Sequence, residues 1–309
     1  MNLTRLKYFV KIVDVGSLTQ AADVLHIAQP ALSQQLATLE GEMKQQLLIR
    51  SKRGVTPTDA GKILYAHAQL ILRQCEQAQS DVQTASKALS GKVSVGLAPG
   101  TAASALALPL LRTVRERHPG IMLYLNENFG TTLSELIMNG RMDMAVLYGD
   151  QAIHGLRFHP LFKEKLYLVS PPSCPLPSAG IPLTEAAQHA LMLPRQYNAI
   201  RQYVDIACLK LGMHPRVIAE VESLSTLTDA LADELGATVL PGSIARLLAA
   251  TTSAHTSQII APVIEAPLAL CLSTHLPLSV PAQAVMDILL ELAGSLSRHE
   301  QLTLIETAS

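Results

Sequence analysis

The run Pro30-Ala31-Leu32-Ser33-Gln34-Gln35-Leu36-Ala37-Thr38-Leu39 combines two kinds of residue at helical spacing. Leu32, Leu36 and Leu39, with Met43 beyond, form one apolar face, so a helix here turns Pro30, Gln34, Ala37 and Thr38 outward, with Ser33 at their flank. Short, polar, uncharged side chains suit the edges of base pairs. Gln pairs with adenine, Ser with either partner, and Ala or the Thr methyl meets the methyl of thymine, while small side chains let a helix sink into a major groove. A merely solvated face more often carries Lys and Glu.

A second group is cationic. Arg50, Lys52 and Arg53 surround the turn at Gly54, where they neutralise phosphates or probe a minor groove, adding affinity without much sequence information. Taken alone, an ordinary solvated loop competes with this reading. A third group suits small-molecule binding: Gly100-Thr101 in the turn "APGTAAS", Gly130-Thr131 at the next helix start, and Asn198 and Ser223 opening later helices. Free N–H groups at helix starts hold carboxylates and other anions. Plain helix capping competes at all four.

These residues need elements to hold them. Leu6, Phe9, Val10 and Val13 make the stripe of a first helix, stopped by Gly16. Ser17-Leu18-Thr19-Gln20 reads as a capping box opening a second helix, whose Ala21 and Ala22 permit close packing. A third helix follows after a few residues, the spacing of a helix-turn-helix. Leu47 to Val55 then reads as a β-hairpin wing.

From Thr58 a long helix follows, with Leu64, Ala68, Ile71, Cys75, Ala78, Val82, Ala85 and Leu89 at alternating steps of four and three. That is a heptad seam, which predicts a coiled-coil linker pairing two copies of the chain; a helix lying on its own chain is the alternative. Cys75 reads as a small seam residue before a redox sensor. Pairing matters for recognition, because two helices at fixed separation read half-sites about 34 Å apart or a multiple of that.

Beyond residue 91 strands alternate with helices. Strands are expected at 92–97, 121–128, 142–148, 165–170, 216–223, 237–241 and 268–274, and helices near 102–117, 132–139, 198–211, 224–235, 242–250 and 282–297. Mainly parallel sheets follow from such alternation. The Pro-rich loop at 170–183 predicts two α/β subdomains with a cleft between them.

Composition narrows the function classes. Hydrophobic residues make up 49% of the 309, charged residues 16% and aromatics 4%, an aliphatic globular profile. The net charge of −1 conceals a basic head: residues 1–73 hold nine Lys and Arg against five Asp and Glu, and the rest fifteen against twenty. The four Cys lie far apart, with no CxxC to complete a zinc site, so neither a disulfide framework nor a metal site is expected. Arg5, Lys7, Lys11 and Asp14 precede any apolar run, which argues against a secretory signal. Pro99, Pro109, Pro267, Pro277 and Pro281 interrupt the longest uncharged stretches, so no membrane span is expected. P-loop, GxGxxG, HExxH and GxSxG motifs are absent, and no enzyme is predicted.

The segments "GSLTQAADVLHIAQPALSQQLATLE" and "RSKRGVTPTDAG" resemble the LysR-type transcriptional regulators across the whole winged helix-turn-helix. "RLKYFVKIVDVGSLTQAA", "QQLLIRSKRGVTPTDAGKILY" and "ILRQCEQAQ" are most similar to the subgroup controlling nitrogen assimilation. The resemblance implies groove contacts from Gln29, Pro30, Ser33 and Gln34, and backbone or minor-groove contacts from Arg50 and Arg53. It also implies a linker-helix dimer, often paired again into tetramers, and a type 2 periplasmic-binding-protein-like effector domain.

The expected fold is α+β overall. A winged helix-turn-helix spans 1–58, a linker helix 59–90 and an α/β effector domain 91–309, with subdomain I at 92–162 and 266–300 and subdomain II at 163–265. Expected partners are double-stranded DNA, further copies of the chain, a small-molecule effector and RNA polymerase, in the cytoplasm and without cofactor. A small-molecule binding protein or enzyme with a vestigial DNA module is the rival reading. Lys44, Leu48 and Glu234 depart from the family, which usually has Gly, Phe and Gly there. Glu234 is accordingly expected at the cleft rim or a hinge.

Overall fold

The computed structural model describes residues 2–51, 54–84, 89–149, 153–299 and 303–304. Two compact units result, Met1–Lys87 with Asn139–Arg141, and Ala88–Met138 with Met142–Ser309.

The first unit opens with α1 (Leu3–Val15), α2 (Leu18–Leu25) and α3 (Gln29–Met43). Asn2 caps α1 by accepting the Arg5 N–H at 2.9 Å, and Gly16, at φ 69°, ends it. Ser17 caps α2 through the Gln20 N–H at 3.4 Å. Pro30 sits in the first turn of α3, where a missing N–H costs nothing. Phe9, Ile12, Ala21, Ala22, Leu32, Leu36 and Leu39 close the core between the three helices.

β1 (Leu48–Ser51) and β2 (Gly54–Pro57) form the antiparallel wing. It is tied down from both sides. Glu40 Oε1 on α3 accepts the N–H groups of Leu47 at 2.8 Å and Leu48 at 3.2 Å, and Gly16 C=O accepts Val55 N–H at 2.7 Å. A Cβ on Gly54 would lie 2.5 Å from the Gly16 oxygen, so only glycine fits. Leu48, where the family usually has Phe, is buried in this core.

α4 (Asp59–Thr84) is capped by Thr58, whose Oγ1 accepts the Gly61 N–H at 3.0 Å. Its early seam positions depart from the expectation. Ala68 is wholly buried with Leu6 of α1 and Leu72, and Leu64 and Ile71 pack against the same cluster. The first turns of α4 therefore spend their apolar stripe on their own chain. Cys75 is half-buried, Ala78 is exposed and Val82 is 78% exposed. Ala85 lies outside the described residues. Leu89 does not continue the helix; it sits in a bend before the next strand and packs on the core of the second unit.

The second unit alternates as expected: β3 (Ser90–Leu97), α5 (Ala102–Arg117), β4 (Gly120–Glu127), α6 (Gly130–Met138) and β5 (Met144–Tyr148). Then come β6 (Leu156–Ser170), β7 (Ile181–Pro182), α7 (Leu183–Ala186), β8 (Leu191–Leu193), α8 (Ala199–Lys210), β9 (Val217–Glu220), α9 (Leu224–Ala232) and β10 (Thr238–Pro241). It closes with α10 (Gly242–Thr252), β11 (His255–Ile260), β12 (Glu265–Ser273), α11 (Val280–His299) and β13 (Thr303–Leu304).

β6 organises this unit. Its first part pairs with β12, which joins it to β5, β3 and β4; its second part pairs with β10 on one side and β11 on the other. The outer pairs β3–β4, β3–β5, β7–β11 and β8–β9 are parallel. The pairs around β6 and β12 are antiparallel, so the expectation of mainly parallel sheets fails at the centre. The expected strand at 165–170 is the end of a longer one. Pro160 obscures its first half, and the structure accommodates that residue beside a register shift at Leu268/Ala269, where a missing ladder donor is tolerated.

Candidate nucleic-acid interface

α3 presents its polar side to solvent. Gln29, Pro30, Gln34, Ala37 and Thr38 are exposed and Ser33 is half-buried, while Leu32 and Leu39 opposite are wholly buried. Thr38 Oγ1 donates to Gln34 C=O within the helix at 2.9 Å, which commits the hydroxyl and leaves the methyl as the group available for contact. Arg50 stands exposed on β1 and its Nη2 donates to Ser33 Oγ at 3.2 Å. Lys52 and Arg53 lie outside the described residues. Arg5 braces the far side of α3, donating to Gln35 Oε1 at 3.1 Å and pairing with Glu42 at 2.5 Å.

The second unit encloses a cavity of about 450 Å³. Gly100, Thr101, Gly130, Thr131 and Asn198 line it, and Ser223 does not. The competing reading of capping holds for several of them. Thr101 is buried, donates to Ala98 C=O at 2.7 Å and accepts Ala103 N–H at 3.0 Å. Asn198 Oδ1 accepts Ile200 N–H at 2.9 Å, and Ser223 Oγ accepts Thr226 N–H at 3.3 Å. Thr131, at the start of α6, stands exposed in the lining.

An anion at the α5 start was the natural expectation for "APGTAAS", and that position is already taken. Glu164, wholly buried at the middle of β6, accepts Ala102 N–H at 3.2 Å and the Tyr148 hydroxyl through Oε2. Its Oε1 accepts Ser243 N–H at 3.3 Å and Ser243 O–H at 2.5 Å at the start of α10. Four donors match the acceptor sites of one carboxylate, and two helix starts favour its charge. No Lys or Arg among the described residues pairs with it. Burial, and then the Glu164 charge, hold the Tyr148 phenol well above its usual range and keep it a donor.

Glu164, Tyr148 and Ser243 escaped the reading of the sequence, though a signal exists. Phe162, Glu164, Leu166 and Leu168 alternate at period two and are all wholly buried, whereas Lys163 and Lys165 turn to the other face. Glu234 does not line the cavity; it is the left-handed residue ending α9, at φ 59°.

A winged helix-turn-helix whose third helix exposes a polar, uncharged face, joined to an α/β domain that holds a cleft, is the arrangement of a DNA-binding transcription regulator. Residues 3–62 match the family of bacterial regulatory helix-turn-helix proteins of the lysR type, and residues 86–294 match the LysR substrate binding domain. The chain belongs to the LysR family of transcriptional regulators.

It is 55% identical over 294 residues to the nitrogen assimilation regulatory protein nac of Klebsiella aerogenes, covering 95% of this chain and 96% of the relative. The nac protein of Escherichia coli strain K12 is 53% identical over 295 residues, covering 96% of each. Among solved structures, a full-length OxyR variant from Pseudomonas aeruginosa superposes with a TM-score of 0.74 at 25% identity, covering 99% of both chains. Full-length CbnR in complex with its target DNA gives 0.66 at 21% identity, covering 95% of this chain and all of the other, a likeness of fold. The rival reading, a binding protein or enzyme with a vestigial DNA module, finds no support among these relatives.

Proposed function

We propose that this regulator controls genes of nitrogen metabolism, binding specific duplex sites in the cytoplasm as a homodimer or homotetramer. Its output to RNA polymerase follows the arrangement of the dimers, biased by a small molecule in the cleft or by oligomeric state, and involves no catalysis. A ligand acts on that arrangement only through a difference in affinity between conformations. The near-full-length likeness to the nac proteins supports the choice of target genes. The exposed face of α3, from Gln29 to Thr38, carries the DNA-binding reading. The exposed Ala78 and Val82, past the turns of α4 that pack on α1, support a pairing seam in the later part of the helix.

Titration of the full chain against a nitrogen-regulated promoter fragment and a scrambled duplex tests this. Gln34→Ala should weaken specific binding by about 1–3 kcal/mol and leave the scrambled duplex unaffected. Arg53→Ala should weaken both alike and flatten the salt dependence. Equal binding of the two duplexes by the wild-type protein overturns the proposal.

A further inference from the structure

We propose that the cleft of this protein takes an organic ammonium ion, its position for an anion being filled from within by Glu164. The inference rests on the reading of the cleft as an effector site and names the class of effector. Two helix starts reach the cavity wall where Glu164 lies behind it. Thr101 precedes Ala102 and lines the cavity, Pro241 precedes Ser243 by two residues and lines it too, and Tyr148 forms part of the same wall. The N–H groups of Ala102 and Ser243 would otherwise be free to bind an incoming carboxylate. Both donate to Glu164 instead, at 3.2 and 3.3 Å.

What remains in the cavity is negative. Among the described residues its lining holds two carboxylates, Glu135 and Glu222, and no Lys, Arg or His. The start of α6, with its exposed Thr131, is no refuge for an anion, because Glu135 lies further along the same helix and faces the same space. Glu222 Oε2 accepts the Tyr197 hydroxyl at 3.2 Å, whereas its Oε1 is sealed from solvent without a hydrogen-bond partner. A buried carboxylate oxygen without a donor is costly, and a turn of the Glu222 carboxyl toward the cavity lets an ammonium N–H supply one. Phe129, Phe158, Tyr197 and Tyr203 add aromatic surface, which favours an apolar body and attracts a cation to ring faces.

Benzylammonium, benzoate and benzyl alcohol differ chiefly in charge and give the test, by calorimetric titration of the full-length protein. Benzylammonium should bind roughly ten-fold or more tighter than benzoate, with the alcohol between them, and Glu222→Gln should remove about ten-fold of that affinity. Glu164→Ala empties the internal position, so formate should raise its melting temperature saturably beyond an equal concentration of chloride and leave the wild type unmoved. Should Glu164→Ala fail to fold, the Ser243→Ala and Tyr148→Phe variants replace it: each loses a donor to Glu164, and neither should bind benzoate better than benzylammonium. Benzoate binding as tightly as benzylammonium, or binding by none of the three probes, overturns the inference. Duplex binding measured on the same preparation keeps the two readings apart. Specific DNA binding with a preference for benzoate sinks the ligand class alone, and loss of specific DNA binding sinks the regulator reading alone.

Discussion

The Arg50 guanidinium of the wing donates to the Ser33 hydroxyl of the recognition helix across 3.2 Å. One cation is thus placed against the border of the exposed polar face of α3, and the contact ties the wing to that helix. Ser33→Ala and Arg50→Ala should each weaken binding to a specific site by about 1–3 kcal/mol. Because they share a contact, the double variant should fall short of the sum by ~0.5 kcal/mol or more in a double-mutant cycle read by fluorescence anisotropy. Strict additivity would show that the contact has no part in recognition.

Four helices end on a side chain in the left-handed region, α2 at His26, α3 at Lys44, α9 at Glu234 and α10 at Ser253. Lys44 closes α3 at φ 52° and Glu234 closes α9 at φ 59°, in both cases with the following N–H reaching back five residues, Gln45 to Glu40 C=O and Leu235 to Ala230 C=O. A glycine avoids the steric penalty of this conformation and pays part of it back in chain entropy. Lys44→Gly and Glu234→Gly should therefore each stabilise the protein by about 0.5–1 kcal/mol in urea unfolding. Glu234→Gly should leave ligand binding unchanged, since Glu234 does not line the cavity.

Tyr65 on α4 donates its hydroxyl to Asp14 of α1. Burial, and then the hydrogen bond to Asp14, push the phenol up to about 12 from an ordinary 10. A raised value means that the folded protein holds this proton more tightly than the unfolded chain. Its contribution to stability is full below pH 10 and is lost as the pH climbs through 12. Ultraviolet titration of phenolate should show late tyrosines besides the ordinary ones, Tyr65 and the buried Tyr148, and Tyr65→Phe should remove one of them; the variant's stability should fall less steeply over that window. An ordinary titration for Tyr65 refutes the assignment.

Pairing of chains through α4 should reside in its later turns, because Leu64, Ala68 and Ile71 are already packed on α1. Val82→Asp should convert oligomers to smaller species in sedimentation equilibrium while leaving the melting temperature of the first unit nearly unchanged. Ala68→Asp should instead unfold the first unit, having buried a charge without a partner. A Val82→Asp protein with unaltered mass would remove α4 from the interface.

Cys271 is buried in β12, and burial alone pushes its thiol up to about 12. The native protein should spare this cysteine when treated with a thiol reagent at neutral pH, and urea should expose it. Rapid modification in the folded state would contradict its placement.

The local pattern of residues was enough to place the first three helices, the wing and the face of α3. Their signals, the Leu32–Leu36–Leu39 stripe, the Ser17 cap, the Gly16 stop and the Gly54 turn, each act within a few residues along the chain. The α5 span and most strands of the second unit were legible for the same reason. The tertiary structure alone decided which partner an apolar stripe meets: α4 carries an unbroken heptad pattern, yet α1 takes its first turns, because periodicity states that a face is buried and not against what. It alone made the centre of the sheet antiparallel, and it alone brought Ala102, Tyr148 and Ser243 to Glu164 from across the sequence. Hydrogen bonds between groups so far apart leave no periodic trace, and a helix start that looks open to an anion in one dimension is closed in three.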